Sequence, residues 1–248
     1  MKNQYVGDVG DYGKYGLLRF LSENEIKIGV NWYLTKNDCS TDGKFREYLK
    51  DEKESQYDSE VFSLLQKTKK KANRNVKLIE ESNIIFNAVF FSKMLKTSEC
   101  KNYRNRNDVR KAWHSSAISV LNSCQLIFAD PDNGSADEKV ITRKNGEKYA
   151  TLSELKSYYC ADKDVVYYCH KGRRKPDIWQ NKMTELKTLL PDAEILVLTF
   201  HRGTQRSYIF AIHPERYEKY KALIERFLKT EWGKLPVNGK KPPFSREM

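Results

Sequence analysis

Residues 126–148 read LIFADPDNGSADEKVITRKNGEK. Four apolar residues, Leu126, Ile127, Phe128 and Ala129, run directly into Asp130-Pro131-Asp132-Asn133-Gly134. This is the pattern of a buried strand that stops in a polar, turn-forming cluster. In open α/β sheets the carboxyl ends of the strands face the ligand crevice, so short acidic and amide side chains placed there project into a site. Asp, Pro, Asn and Gly also build ordinary turns. The density argues for more than a turn: two carboxylates and an amide stand within four residues, and Lys139, Arg143 and Lys144 follow.

Outward from this centre, strand and helix patterns alternate. Residues 28–35 (IGVNWYLT) are β-branched and aromatic and end in a polar run carrying Asp38 and Asp42. Residues 76–79 (VKLI) read as a short strand followed by Glu80, and an acid after the second strand of a nucleotide-binding sheet accepts from ribose hydroxyls. Residues 88–91 read as another short strand. Residues 108–121 read as a helix turning Val109, Trp113, Ala117, Val120 and Leu121 inward. Downstream come a helix at 152–159 capped by Thr151 or Ser153, a strand at 164–169 and an amphipathic helix at 178–190. Strands at 194–199 and 206–212 flank a tight HRGTQ loop and predict an antiparallel hairpin, followed by a helix over 214–229.

The amino-terminal segment opens as a Gly/Asp-rich loop, with Gly7, Gly10 and Gly13 beside Asp8, Asp11 and Lys14, and then turns helical with Asp11 as N-cap. Residues 43–71 read as helical and strongly charged. The whole order predicts an α/β fold: a mostly parallel, Rossmann-like sheet with helices on both faces and a C-terminal antiparallel hairpin. Residues 1–232 form one domain in this reading, and 233–248 a loosely ordered tail.

The 248 residues carry 45 Lys and Arg against 33 Asp and Glu, a formal net charge of +12 spread along the chain. A polyanion is the expected partner, with nucleic acid first. The basic run His170-Lys171-Gly172-Arg173-Arg174-Lys175 ends a strand; beside an acidic strand end, it would hold phosphate against the acidic site. No 18-residue apolar run exists and the first residues lack an apolar signal region, so the expectation is a cytoplasmic protein with no membrane partner. The five cysteines show no C-x-x-C spacing, which predicts reduced thiols rather than a structural zinc.

In this order and in two motifs, the chain resembles class I S-adenosylmethionine-dependent methyltransferases, nearest the family that methylates adenine N6 in large-subunit ribosomal RNA. That family opens with G-N-x-A-D-x-x-K-H, and here Gly7-Asp8-Val9-Gly10-Asp11-Tyr12-Gly13-Lys14-Tyr15 is similar. Its D-P-P-Y at the end of the fourth strand is matched in position by Asp130-Pro131-Asp132-Asn133. An uncharacterised bacterial group shares the G-D-x-x-D-Y-x-K-Y and D-P-D-N-G motifs. The resemblance implies that Asp130 and Pro131, with Asp132, hold the target amine and that Asn133 occupies the motif's last position. It also implies that Gly7, Asp8, Asp11, Lys14, Asp38 and Glu80 serve the cofactor, and that His170, Lys171, Arg173 and Arg174 meet nucleic-acid phosphate. Asn133 stands where the family's base-stacking aromatic belongs, and the stretch after the first strand has one glycine where the cofactor's methionine needs close backbone approach.

Two alternatives use the same residues. Asp130 and Asp132 would serve as ligands for Mg2+ or Mn2+ in a metal-dependent nuclease, with Lys148 steadying developing charge. A non-catalytic nucleic-acid binder would show steep salt dependence with no cofactor or metal effect.

Overall fold

The computed structural model describes residues 1–40, 42–171, 176–234 and 241–247. Its regular elements, in chain order, are α1 (Val9–Glu23), β1 (Ile28–Asn31), α2 (Ser59–Gln66), α3 (Lys77–Glu80), β2 (Val89–Phe91), α4 (Tyr103–Leu121), β3 (Leu126–Ala129), β4 (Gly134–Ala136), β5 (Tyr149–Thr151), α5 (Leu152–Cys160), β6 (Asp164–His170), α6 (Pro176–Leu189), β7 (Glu194–Phe200), β8 (Arg206–Ile212), α7 (Tyr217–Leu228) and β9 (Phe244–Glu247). Seven strands form one sheet in the order β2-β1-β3-β6-β8-β7-β9. Five of them point the same way, while β8 and β9 run against their neighbours. The mixed α/β class and the antiparallel hairpin of β7 and β8 are as the sequence predicts.

Alternation along the strands sends side chains to two cores. Ile28, Val30, Leu126 and Phe128 join α1, α2 and α7 on one face. Ile127, Ala129, Val165 and Tyr167 join α4, α5 and α6 on the other. The central strands β1, β3 and β6 are therefore buried on both sides, which explains their near-continuous apolar runs.

Six expectations are corrected. The helix α1 begins two residues before Asp11: Asp8 is the N-cap, its Oδ1 accepting from the Gly10 N–H at 2.9 Å. Gly10, Gly13 and Gly16 thus lie inside the helix, one face of which presses on the sheet. A Cβ on Gly13 would stand 2.5 Å from the Phe200 ring, and one on Gly16 2.5 Å from Trp232. These glycines serve close helix-to-sheet approach, not loop freedom. Residues 76–79 are helical, not extended: the Asn75 side chain accepts from the Lys77 N–H at 3.0 Å and starts the turn of α3.

In the segment 43–71, two short 3₁₀ turns precede α2, because Asp51 and Asp58 each capture a backbone N–H and restart the chain. The carboxyl-terminal residues 244–247, expected in a loose tail, form β9 against β7, with Phe244 fully buried beside Phe200 and Phe227. On α4, Trp113, Ala117 and Leu121 are buried as expected, whereas Val109 and Val120 face solvent. The strand predicted over 28–35 stops at Asn31: Tyr33 adopts a φ of 45°, and the Asn31 side chain accepts from its N–H.

Candidate functional site

The strand order reverses between β1 and β3, since β2 lies beyond β1 and β6 beyond β3. Ligands of open α/β sheets bind outside the carboxyl ends of the strands at such a switch point. Asp130 and Asp132 leave β3 there. A cavity of about 300 Å3 opens beside them, lined by Asp8, Gly10, Asp11 and Lys14 of α1 and its cap, by Asp130 through Asn133, by Tyr168 and His170 of β6, and by Arg206 at the start of β8. The chain's first residues close one side, with Met1 and Tyr5 in the wall.

The floor of this cavity is a ladder of buried charges. Lys14 donates to Asp11 at 2.8 Å and to Asp130 Oδ2 at 2.7 Å, and the three side chains are only 4–6% exposed. Burial works against the charge on Lys14, but Asp11 and Asp130 outweigh it and hold the ammonium above its ordinary range. Burial pushes both carboxyls up, against the pull of Lys14. Asp8 is a hub: beside capping α1, it accepts from Arg206 Nη2 at 2.7 Å and from the Phe45 N–H at 3.1 Å. The Met1 ammonium donates to the backbone carbonyl of Asp130 at 2.9 Å and stands 2.7 Å from Asp132 Oδ1. Asp132 is 5% exposed in its side chain, and neither of its oxygens has an aligned hydrogen-bond donor. Tyr5 lies nearby, its phenol pushed up to about 12 by burial and by Asp132.

The structure gathers Asp130, Asp132, Asn133, Lys148, Asp8, Asp11, Lys14 and His170 around one cavity. It leaves others outside. Gly7 packs on Thr68, where a Cβ would meet Oγ1 at 2.3 Å. Glu80 lies on α3 rather than at the end of a strand of its own, accepts from the indole of Trp32 just after β1 at 2.8 Å, and does not line the cavity. Asp38 pairs with Lys2, which holds its carboxyl below the usual range, and lies 3.9 Å from Lys148 beyond the cavity wall. Lys171 reaches Glu247 of β9 at 2.5 Å and lies over the Trp179 ring rather than entering the cavity. Arg173 and Arg174 lie outside the described residues.

Several cavity residues had no sequence signal strong enough to find them, Arg206, Tyr168 and Phe45 among them. Arg206 and Tyr168 come from strands predicted for their apolar content, and Phe45 from a segment read as a charged helix. Elsewhere, Asp162, His213 and Glu215 converge at the amino end of β6, but Arg216 already pairs with Asp162 at 2.6 Å and with Glu215 at 3.3 Å.

No helix among the described residues is long and apolar enough to cross a membrane. No known family model matches the chain, and no curated protein does. Among solved structures, the chain is similar to a DUF519 protein from Legionella pneumophila, with a TM-score of 0.50 at 10% identity, over 98% of this chain and 96% of that one. At that identity the likeness is one of fold.

Proposed function

We propose that this cavity is the reaction site of a nucleic-acid-directed, S-adenosylmethionine-dependent amino-methyltransferase. The observation that carries the reading is the chemistry at the end of β3: its acceptors all grip amines. Asp130 Oδ2 holds the Lys14 ammonium, while the Asp130 carbonyl and the Asp132 carboxylate face the Met1 ammonium. A target amine entering the cavity meets the same set of acceptors.

In this mechanism Lys14 favours the ionised form of Asp130 against its burial and fixes the direction of one carboxylate oxygen. The other oxygen and the Pro131 carbonyl accept the N–H bonds of the target amine. Holding the amine in one orientation supplies much of what such a transfer needs from the protein. S-adenosylmethionine, when bound, supplies the electrophilic methyl group. Asp132 suits the amino or ribose hydroxyl groups of that cofactor: its carboxylate stands 2.7 Å from the Met1 ammonium and 3.8 Å from Lys2 with no aligned hydrogen bond from either, which leaves lone pairs for a ligand.

The metal-dependent alternative draws less support from this arrangement. A divalent ion needs Asp130 and Asp132 to turn oxygens toward one point, whereas each faces an ammonium group instead.

Calorimetric titration with S-adenosylmethionine tests the reading, together with transfer of labelled methyl to total RNA and DNA. Saturable binding weakened in Asp132→Asn, with label transfer abolished in a folded Asp130→Ala, is the expected result. Absence of saturable binding to the wild-type protein overturns it.

A further inference from the structure

Phe45 stands at the mouth of the cavity with 44% of its surface exposed. Its backbone is held at both ends: the N–H donates to Asp8 Oδ2 at 3.1 Å, and the carbonyl accepts from the Val9 N–H at 2.8 Å. Gly203 packs beside the ring, where a Cβ would lie 3.5 Å from Cδ2. A flat apolar ring is thus fixed to the start of α1 and to the β7–β8 turn, yet left in solvent. Single exposed apolar residues are ordinary. The surroundings of this one are not: among the described residues, the other large exposed apolar side chains, Phe86, Tyr103, Val109 and Val120, do not line the cavity. Lys44 and Lys148 add positive charge to the walls, and the floor holds the buried acceptors of Asp130 and Asp132.

An aromatic face beside cationic groups is how unpaired bases are held, because every base has a π-face and every nucleotide a phosphate. A reacting atom that must reach buried acceptors also requires its base to leave the helical stack.

We propose that Phe45 is the stacking platform for an unpaired nucleobase entering the cavity, so that the substrate is single-stranded or extruded nucleic acid. The inference rests on the reading that the cavity acts on nucleic acid. Phe45 positions the base and takes no part in the reaction itself. It supplies from a loop the ring that Asn133 does not supply at the strand end.

The test uses the full chain and fluorescence anisotropy with two nine-nucleotide probes of about that length: a single adenine at the centre of an otherwise abasic strand, and the fully abasic strand. Wild-type protein is expected to prefer the adenine probe by roughly 5- to 150-fold, the equivalent of about 1–3 kcal/mol for one stacked base. Phe45→Ala should lose that preference while binding the abasic probe as before, and Phe45→Trp should keep it. Equal affinity of the wild type for both probes overturns the inference, as does a preference that survives in Phe45→Ala. Calorimetry with S-adenosylmethionine on the same samples separates the two readings. Cofactor binding without adenine preference removes the stacking role alone, and adenine preference without cofactor binding removes the methyltransferase alone.

Discussion

Replacing Lys14 by Met keeps most of the side-chain volume and removes the charge that holds the cavity floor together. Asp11 and Asp130 would then face each other, 6% and 4% exposed, with their shared cation gone. Removing one partner of a buried pair costs about 3–5 kcal/mol, because the remaining charge is neither hydrated nor matched. For a chain of this size that corresponds to a fall in Tm of roughly 6–20 °C.

The loss should depend on pH, and its sign follows from the direction of the carboxyl shifts. Burial already raises Asp11 and Asp130 above the ordinary Asp range, and removing Lys14 raises them further. A carboxyl raised in the folded state stabilises the fold below its unfolded pKa, and that contribution is lost as pH rises through the folded value. The deficit of Lys14→Met relative to the wild type should therefore be largest at pH 7.5 and shrink steadily toward pH 4.5. Urea denaturation across that range measures it. Adding Asp130→Asn to Lys14→Met should recover part of the loss, since one buried charge is then absent. A Lys14→Met protein within about 0.5 kcal/mol of the wild type at pH 7.5 would refute the reasoning, since a surface substitution has that effect.

Three further outcomes are expected. Gly13→Ala would normally favour a helix by about 1 kcal/mol, but its Cβ meets the buried Phe200 ring at 2.5 Å, so thermal melting should show a net loss of about 1–3 kcal/mol. Arg110→Met strips Glu154 of a two-pronged partner at 2.7 and 2.8 Å. Burial opposes the charge on Glu154, yet Arg110 holds its carboxyl below the ordinary range. The wild-type protein therefore draws stability from this pair above the ordinary Glu pKa and loses it as pH falls through the lowered value. The variant should lack that acid-side slope and cost about 3–5 kcal/mol at pH 7 by urea titration. Phe244→Ala empties a fully buried position between Phe200, Phe227 and Trp232, and should cost about 3–5 kcal/mol by the same measurement. A change below 1 kcal/mol there would mean that β9 does not seal the sheet edge.

Residues whose burial is decided by local pattern were legible in the chain. LIFA before DPDNG specified both β3 and the polar end that follows it, and EILVLT with RSYIFAI specified the hairpin, because apolar content and turn chemistry act over a few neighbouring residues. VKLI could not be read the same way. Four apolar and basic residues fit a strand or one turn of helix, and the deciding contacts came from outside the run: the Asn75 side chain on the Lys77 N–H, and the Trp32 indole on Glu80. The glycines of α1 show the same limit. Their spacing was plain, but whether they served a loop or a close contact depended on Phe200 and Trp232, about two hundred residues away along the chain.

The site divides likewise. Sequence alone determined that acidic residues end a central strand and that an acidic, glycine-bearing segment opens the chain. Tertiary structure decided that Lys14 bridges Asp11 to Asp130, that Arg206 joins Asp8, and that the cavity's aromatic rings come from Tyr5, Phe45 and Tyr168 rather than from a residue at the Asn133 position. Pairings of this kind join residues 116 to 198 positions apart. The physical reason is that a buried charge selects its partner by proximity in space, where desolvation makes an unmatched ion intolerable. Strand and turn patterns carry no information about that distance.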